Sequence, residues 1–148
     1  LLELEQQSQV HLHLSSKMEA IANGINLAIS RKESVEISRL LKNKSTERAK
    51  KILENVMEKK EAVPYRTYNS SVPHRKGIGP GRYPMKASEK ILSLLKSAEA
   101  NAENKGMSKN LVISHISVHK GETQSRYGRK MGKKAKRTHI KIIVKERK

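Results

Sequence analysis

Leu111-Val112-Ile113-Ser114-His115-Ile116-Ser117-Val118-His119 and His139-Ile140-Lys141-Ile142-Ile143-Val144 decide the fold. In the first run Val112, Ile116 and Val118 share one parity, and His115, Ser117 and His119 the other. In the second, Ile140, Ile142 and Val144 alternate with His139, Lys141 and Ile143. Period-two alternation predicts two strands, each with one buried face. Between Glu122 and Glu146 there is no acid, while Arg126, Arg129, Lys130, Lys133, Lys134, Lys136, Arg137, Lys141 and Lys145 are all cationic. Residues 119–137 are too many for a tight turn. They either form a loop or continue as two arms beyond the core. At about 3.3 Å per residue, paired arms project roughly 25 Å. Like charge on so thin a projection repels itself, and a polyanion relieves the repulsion.

Upstream, Ala87, Ile91, Leu94, Leu95, Ala98 and Ala102 recur at helical spacing after Pro84, which suits a first turn, and before Gly106, a helix stop. The small residues Ala98, Ala100 and Ala102 let this helix lie close to a sheet. Further back, Ala62 to Ser88 is a second acid-free stretch, broken by Pro64, Pro73, Pro80 and Pro84 and by Gly77, Gly79 and Gly81. That punctuation predicts irregular backbone. Arg66, His74, Arg75, Lys76, Arg82 and Lys86 are interleaved there with Tyr65, Tyr68 and Tyr83; the remaining aromatic, Tyr127, lies in the first acid-free stretch. Tyrosine stacks on bases and arginine grips phosphate with a fork, so the mixture points to RNA. Gly79-Pro80-Gly81 lacks the ending of a nucleotide-binding loop and is read as backbone pressed close to RNA.

Two more helices precede this loop. Ser30 and Glu33 form a candidate capping box ahead of Val35, Ile37, Leu40 and Leu41. Ser45 is a candidate cap for Ala49, Ile52, Leu53, Val56 and Met57, a stripe expected to reach about Lys60. Ile25, Leu27 and Ile29 alternate with Asn26 and Ala28 as a short strand, leaving Arg31 and Lys32 at a strand-to-helix corner where bases can touch phosphate. Val10 to Leu14 alternates as well; His11 and His13 there have no further ligand nearby and are read as solvated. The chain starts at Leu1, and Met18 is a candidate natural start, which would make residues 1–17 an N-terminal extension.

The composition limits function. The net charge is +18 and only 35% of residues are hydrophobic, with no Phe or Trp, so the core is aliphatic. Such charge indicates a polyanionic partner: nucleic acid first, an anionic membrane surface second. No apolar run approaches the roughly 20 residues that span a membrane. There is no Cys and no Asp, hence no disulfide, no thiolate site and no metal or cofactor expected. The histidines pair with no acid or nucleophile by spacing, so no enzyme is expected. A free-standing basic nucleic-acid-binding protein or chaperone is the alternative to a structural RNA-binding component.

Five runs resemble a known family: His74-Arg75-Lys76-Gly77-Ile78-Gly79-Pro80-Gly81-Arg82-Tyr83-Pro84, Ala62 to Asn69, Ser97 to Glu103, Ile29 to Lys32, and Arg137 to Ile140. The chain resembles ribosomal protein twenty-two of the large subunit in its archaeal and eukaryotic branch (seventeen in eukaryotic usage), from about Ala20 to Val144. The resemblance implies an α+β domain at residues 18–148, with three helices packed on a three-stranded antiparallel sheet and a long projecting β-hairpin. It implies a cytoplasmic protein within the large subunit, with large-subunit ribosomal RNA, neighbouring ribosomal proteins and the nascent peptide as partners. Expected at RNA are Arg31, Lys32, Arg66, Tyr68, His74, Arg75, Lys76, Arg82, Tyr83, Lys86, Lys120, Arg126, Arg137 and His139. Expected to face the peptide exit tunnel is the tip, Tyr127, Gly128, Arg129, Lys130, Met131, Gly132, Lys133 and Lys134. Where the family commonly reads Arg-Ala-His-Gly-Arg-Ala, this chain has Arg129-Lys130-Met131-Gly132-Lys133-Lys134.

Overall fold

The computed structural model describes residues 19–129 and 132–147. Residues 1–17, with the Val10–Leu14 alternation and two histidines, and Lys130 and Met131 of the expected tip, lie outside the described residues. In order the elements are β1 (Glu19–Leu27), α1 (Arg31–Leu41), α2 (Thr46–Met57), β2 (Val63–Pro64), β3 (His74–Arg75), β4 (Gly79–Arg82), α3 (Met85–Asn104), β5 (Leu111–Lys120), β6 (Gln124–Ser125), β7 (Lys134–Ala135) and β8 (Thr138–Glu146). The main sheet is antiparallel in the order β1-β8-β5. Helix α3 lies across β1 and β8, α1 against β5, and α2 against α3. This is the expected α+β arrangement.

β8 behaves as its alternation predicts: Ile140, Ile142 and Val144 are buried while Lys141 and Lys145 are exposed. Each such burial stabilises the fold by roughly 1.5–3 kcal/mol. β5 departs from its predicted parity. Leu111 and Ile113, not Val112, are buried at its start. Ile113 faces Val144 and Ile116 faces Ile142, with Ser114 left out of the register as a bulge. The extra residue flips the parity, so Ile113, Ile116 and Val118 all reach the helix side. Ser114 Oγ donates to Ile143 O at 3.1 Å and ties the bulge down.

β1 is longer than the predicted Ile25–Ile29 strand and buries different residues. Its inner face is Ala20, Ala22 and Gly24. A Cβ on Gly24 would stand 2.7 Å from Leu94 Cδ1 and 2.8 Å from Leu27 Cδ1, so an added methyl would make these leucine ends shift. Ile25 is exposed instead of buried, because the register breaks between Gly24 and Leu27 and Asn26 takes a φ of 52°. From α3, Ala98 and Ala102 are buried as expected, whereas Ala100 is exposed. Gly106, at φ 71°, follows the end of α3 as predicted.

Ser30 is the N-cap of α1, but its side chain makes no cap bond; Ser34 Oγ donates to Ser30 O instead, and the predicted capping box is not formed. Ser45 likewise precedes α2 without a side-chain cap bond. α2 ends at Met57, short of Lys60, since Lys59 turns left-handed at φ 60°. The stretch 62–88 is not wholly irregular. β4 pairs with both β2 and β3 in a second small antiparallel sheet. Tyr65 is a core residue there, and burial pushes its phenol up to about 12.

Candidate nucleic-acid interface

The interface begins where β1 hands over to α1. Arg31 and Lys32 stand exposed in the first turn, above Tyr68. The Arg31 guanidinium lies 5.9 Å and the Lys32 ammonium 5.4 Å from the centre of that ring. Arg31 Nη2 also donates to the Tyr68 hydroxyl at 3.1 Å. These two bases form one wall of a cleft of about 330 Å³ lined by Ser30, Arg31, Lys32, Lys120, Thr123, Lys134, Lys136 and Arg137. The other wall is the base of the hairpin. Arg31, Lys32, Lys120 and Arg137 are thus brought together. Lys134, expected at the tip, lies in β7 and lines this cleft. Lys136 and Thr123 join it although the sequence reading did not select them. Their sign was the acid-free run itself, which does not say which members turn inward.

Tyr68 sits on a segment held from below. Glu36, 1% exposed, accepts from the amides of Arg66 (3.1 Å), Thr67 (2.8 Å) and Tyr68 (2.8 Å). One buried carboxylate therefore fixes three consecutive residues of the basic loop. Arg66 and Thr67 are exposed on the far side of it. On the same loop, Arg82 Nη2 donates to Ser71 O at 3.2 Å.

The second group of bases surrounds the β3–β4 turn. His74, Arg75, Lys76, Arg82 and Lys86 are exposed, and the Arg75 guanidinium lies 5.3 Å from the centre of the Tyr83 ring. The glycines here serve the protein itself. Gly79 takes a φ of 73° in the turn, and a Cβ on buried Gly81 would meet Ile78 Cδ1 at 2.9 Å and Val63 O at 3.3 Å. At Gly81 the close approach is to the chain's own strand, whereas a Cβ on Gly79 would meet nothing nearer than His74 Cδ2 at 3.9 Å.

His139 differs from the other expected contacts. It is half-buried, and its Nδ1 accepts from the Asn26 amide at 3.2 Å, holding the irregular end of β1. The arms do continue past the core: Gln124 pairs with Ala135 and Ser125 with Lys134, and Arg126 N donates to Lys133 O at 2.9 Å. Tyr127, Gly128, Arg129, Gly132 and Lys133 beyond them are exposed. The run Ser97–Glu103 proves structural. Glu99 pairs with Lys50 of α2 at 2.7 Å, and Asn101 Nδ2 donates to Ile21 O at 2.9 Å at the edge of β1.

Among the described residues, none of the cations in the cleft or around the β3–β4 turn has a carboxylate within 4.0 Å; the ion pairs involve Lys50, Lys60, Lys90 and Lys145. Nor do the described residues contain a cluster of metal-binding side chains or a helix long and apolar enough to cross a membrane.

Comparison with known proteins agrees with this arrangement. The chain is 45% identical over 123 residues to the large ribosomal subunit protein uL22 of Picrophilus torridus, covering 80% of this chain and 83% of that one. It is 42% identical over 130 residues to the protein of that name from Ignicoccus hospitalis, covering 80% and 82%. With that from Methanosphaera stadtmanae it shares 42% over 136 residues, covering 86% and 88%. Residues 22–145 match the family described as ribosomal protein L22p/L17e, from β1 through nearly all of β8, and the chain belongs to that family.

Proposed function

We propose that this chain is a structural constituent of the large ribosomal subunit in the cytoplasm. It binds large-subunit ribosomal RNA, supports its assembly and touches neighbouring ribosomal proteins, without catalysis or cofactor. Residues 18–148 act as one domain. The observation that carries this reading is the set of bases that, among the described residues, have no carboxylate partner and stand on firm elements: Arg31 and Lys32 on α1, Arg75 and Arg82 on the small sheet, Lys120 and Arg137 at the hairpin base. A free-standing chaperone would carry similar charge but would not co-sediment with large subunits through a sucrose gradient. The chain is expected to co-sediment. Arg75→Ala with Arg82→Ala is expected to weaken RNA binding about 150-fold, at about 1.5 kcal/mol for each charge-assisted contact. Both residues are exposed, so circular dichroism should be nearly unchanged. A collapse of that signal without RNA would assign the pair to the fold.

The hairpin tip lines the nascent-peptide exit tunnel. Family membership supports this, as does the exposure of Tyr127, Gly128 and Arg129, which make no use of the core. A photoreactive group replacing Tyr127 is expected to crosslink nascent chain in translating ribosomes. Crosslinks confined to proteins on the solvent side would place the tip outside the tunnel.

A further inference from the structure

We propose that the cleft between the start of α1 and the base of the hairpin seats the sugar–phosphate backbone of one RNA strand, and that this seat sets the direction of the hairpin. The inference rests on the ribosomal reading above and adds a mechanical role to one part of the interface.

Two observations meet at the cleft. The first is charge. Arg31 and Lys32 on one wall face Lys120, Lys134, Lys136 and Arg137 on the other. Glu33 and Glu122, adjacent in sequence, do not line it. Six cations around about 330 Å³ repel one another across the gap until an anion enters. The lining offers charge and hydroxyls but no aromatic face, which suits a backbone and not a base. The volume lies at the low end of the roughly 300–1,000 Å³ typical of ligand pockets, room for a short piece of one strand's backbone.

The second observation is the hairpin ladder. Strand pairing runs to Lys120 opposite Thr138, then resumes at Gln124 opposite Ala135. Residues 121–123 on one arm and 136–137 on the other are not strand. Only the contact of Gly121 N with Arg137 O, at 2.9 Å, bridges the gap. Thr138 is the last fixed point: it is fully buried, and its Oγ1 donates to Ile29 O at 2.9 Å. The break in the ladder and the cleft coincide. The α1 wall is anchored, since Ile37 and Leu41 are in the core and Arg31 is tied to Tyr68. The hairpin wall stands on the break. A phosphate chain gripped by both walls closes the angle between them.

The chain has no cysteine, so Lys51→Cys on the outer face of α2 and Tyr127→Cys at the tip, both exposed positions, take two spin labels without competition. Distances are read by electron double resonance, free and on large-subunit ribosomal RNA. A broad distribution in the free protein is expected to narrow on RNA. Adding Arg31→Ala, Lys32→Ala, Lys134→Ala and Lys136→Ala is expected to leave binding through the β3–β4 bases. The slope of log affinity against log salt then falls by roughly three, and the distribution stays broad. All four residues are exposed; if the fourfold variant loses helical signal, Lys134→Ala with Lys136→Ala carries the same test. Equal narrowing in variant and parent, or a free distribution already as narrow as the bound one, overturns the inference while the ribosomal reading stands. Failure of the parent to bind the RNA removes both.

Discussion

Raising salt from about 50 to about 200 mM is expected to weaken binding to large-subunit RNA by roughly three to five decades, as for neutralisation of six to ten phosphates. The structure supplies bases for that number. The cleft holds six cations, and Arg75, Lys76, Arg82 and Lys86 extend the set around the second sheet. Among the described residues these side chains have no carboxylate partner, so binding breaks no internal ion pair. The gain comes from counterions released by RNA, and added salt reverses it. Filter binding or fluorescence titration at four or five salt concentrations gives the slope. A nearly flat response would make tyrosine stacking the dominant attraction. Tyr68 and Tyr83 argue against that outcome, since both are half-buried and each already lies beneath a cation.

The same charges were easy to read in the sequence, because an absence of acids over a long stretch needs no knowledge of packing. A segment leaving the core was legible for a similar reason, since a run that stops alternating has no core to face; whether it loops or pairs was not. Parity was not legible through a bulge. Nothing local in Ser114 announces that it drops out of the ladder, yet it decides that Ile113 is buried and Val112 is not wholly so. Ile25 misled in the same way. Its alternation with Leu27 and Ile29 is real, but left-handed Asn26 turns it to solvent, and the buried face of β1 is made of small residues that a hydrophobic pattern passes over. The cleft required tertiary information altogether. Lys32 and Lys136 are far apart in the chain, and only the return of β8 beside β1 brings their elements together.

Glu36 was the least legible of the functional residues, and its replacement carries the largest expected cost to the fold. A glutamate on a helix ordinarily reads as a solvated face, but this one is 1% exposed and surrounded by amides. Glu36→Ala is expected to lower stability by about 3 kcal/mol, since hydrogen bonds to a charged group are each worth roughly 1.5–3 kcal/mol and water recovers part of the loss at the exposed loop. At about 2–4 °C for each kcal/mol in a chain of this size, the melting temperature should fall by roughly 6–12 °C. Glu36→Gln should cost less. One carbonyl can still accept from the neighbouring amides of Thr67 and Tyr68, while the new NH₂ faces the Arg66 N–H that Oε2 now accepts from. Hydrogen exchange separates a local role from general damage. The amides of Arg66, Thr67 and Tyr68 are expected to be protected in the parent and to exchange fast in Glu36→Ala, while those of β8 stay protected below the melting point. RNA affinity should fall with them, although Glu36 is too deep to touch RNA, because Tyr68 would no longer hold Arg31 and Lys32 at the mouth of the cleft. Unchanged exchange at the three amides would mean that burial of Tyr65 alone positions the loop, and the carboxylate would then be a passenger.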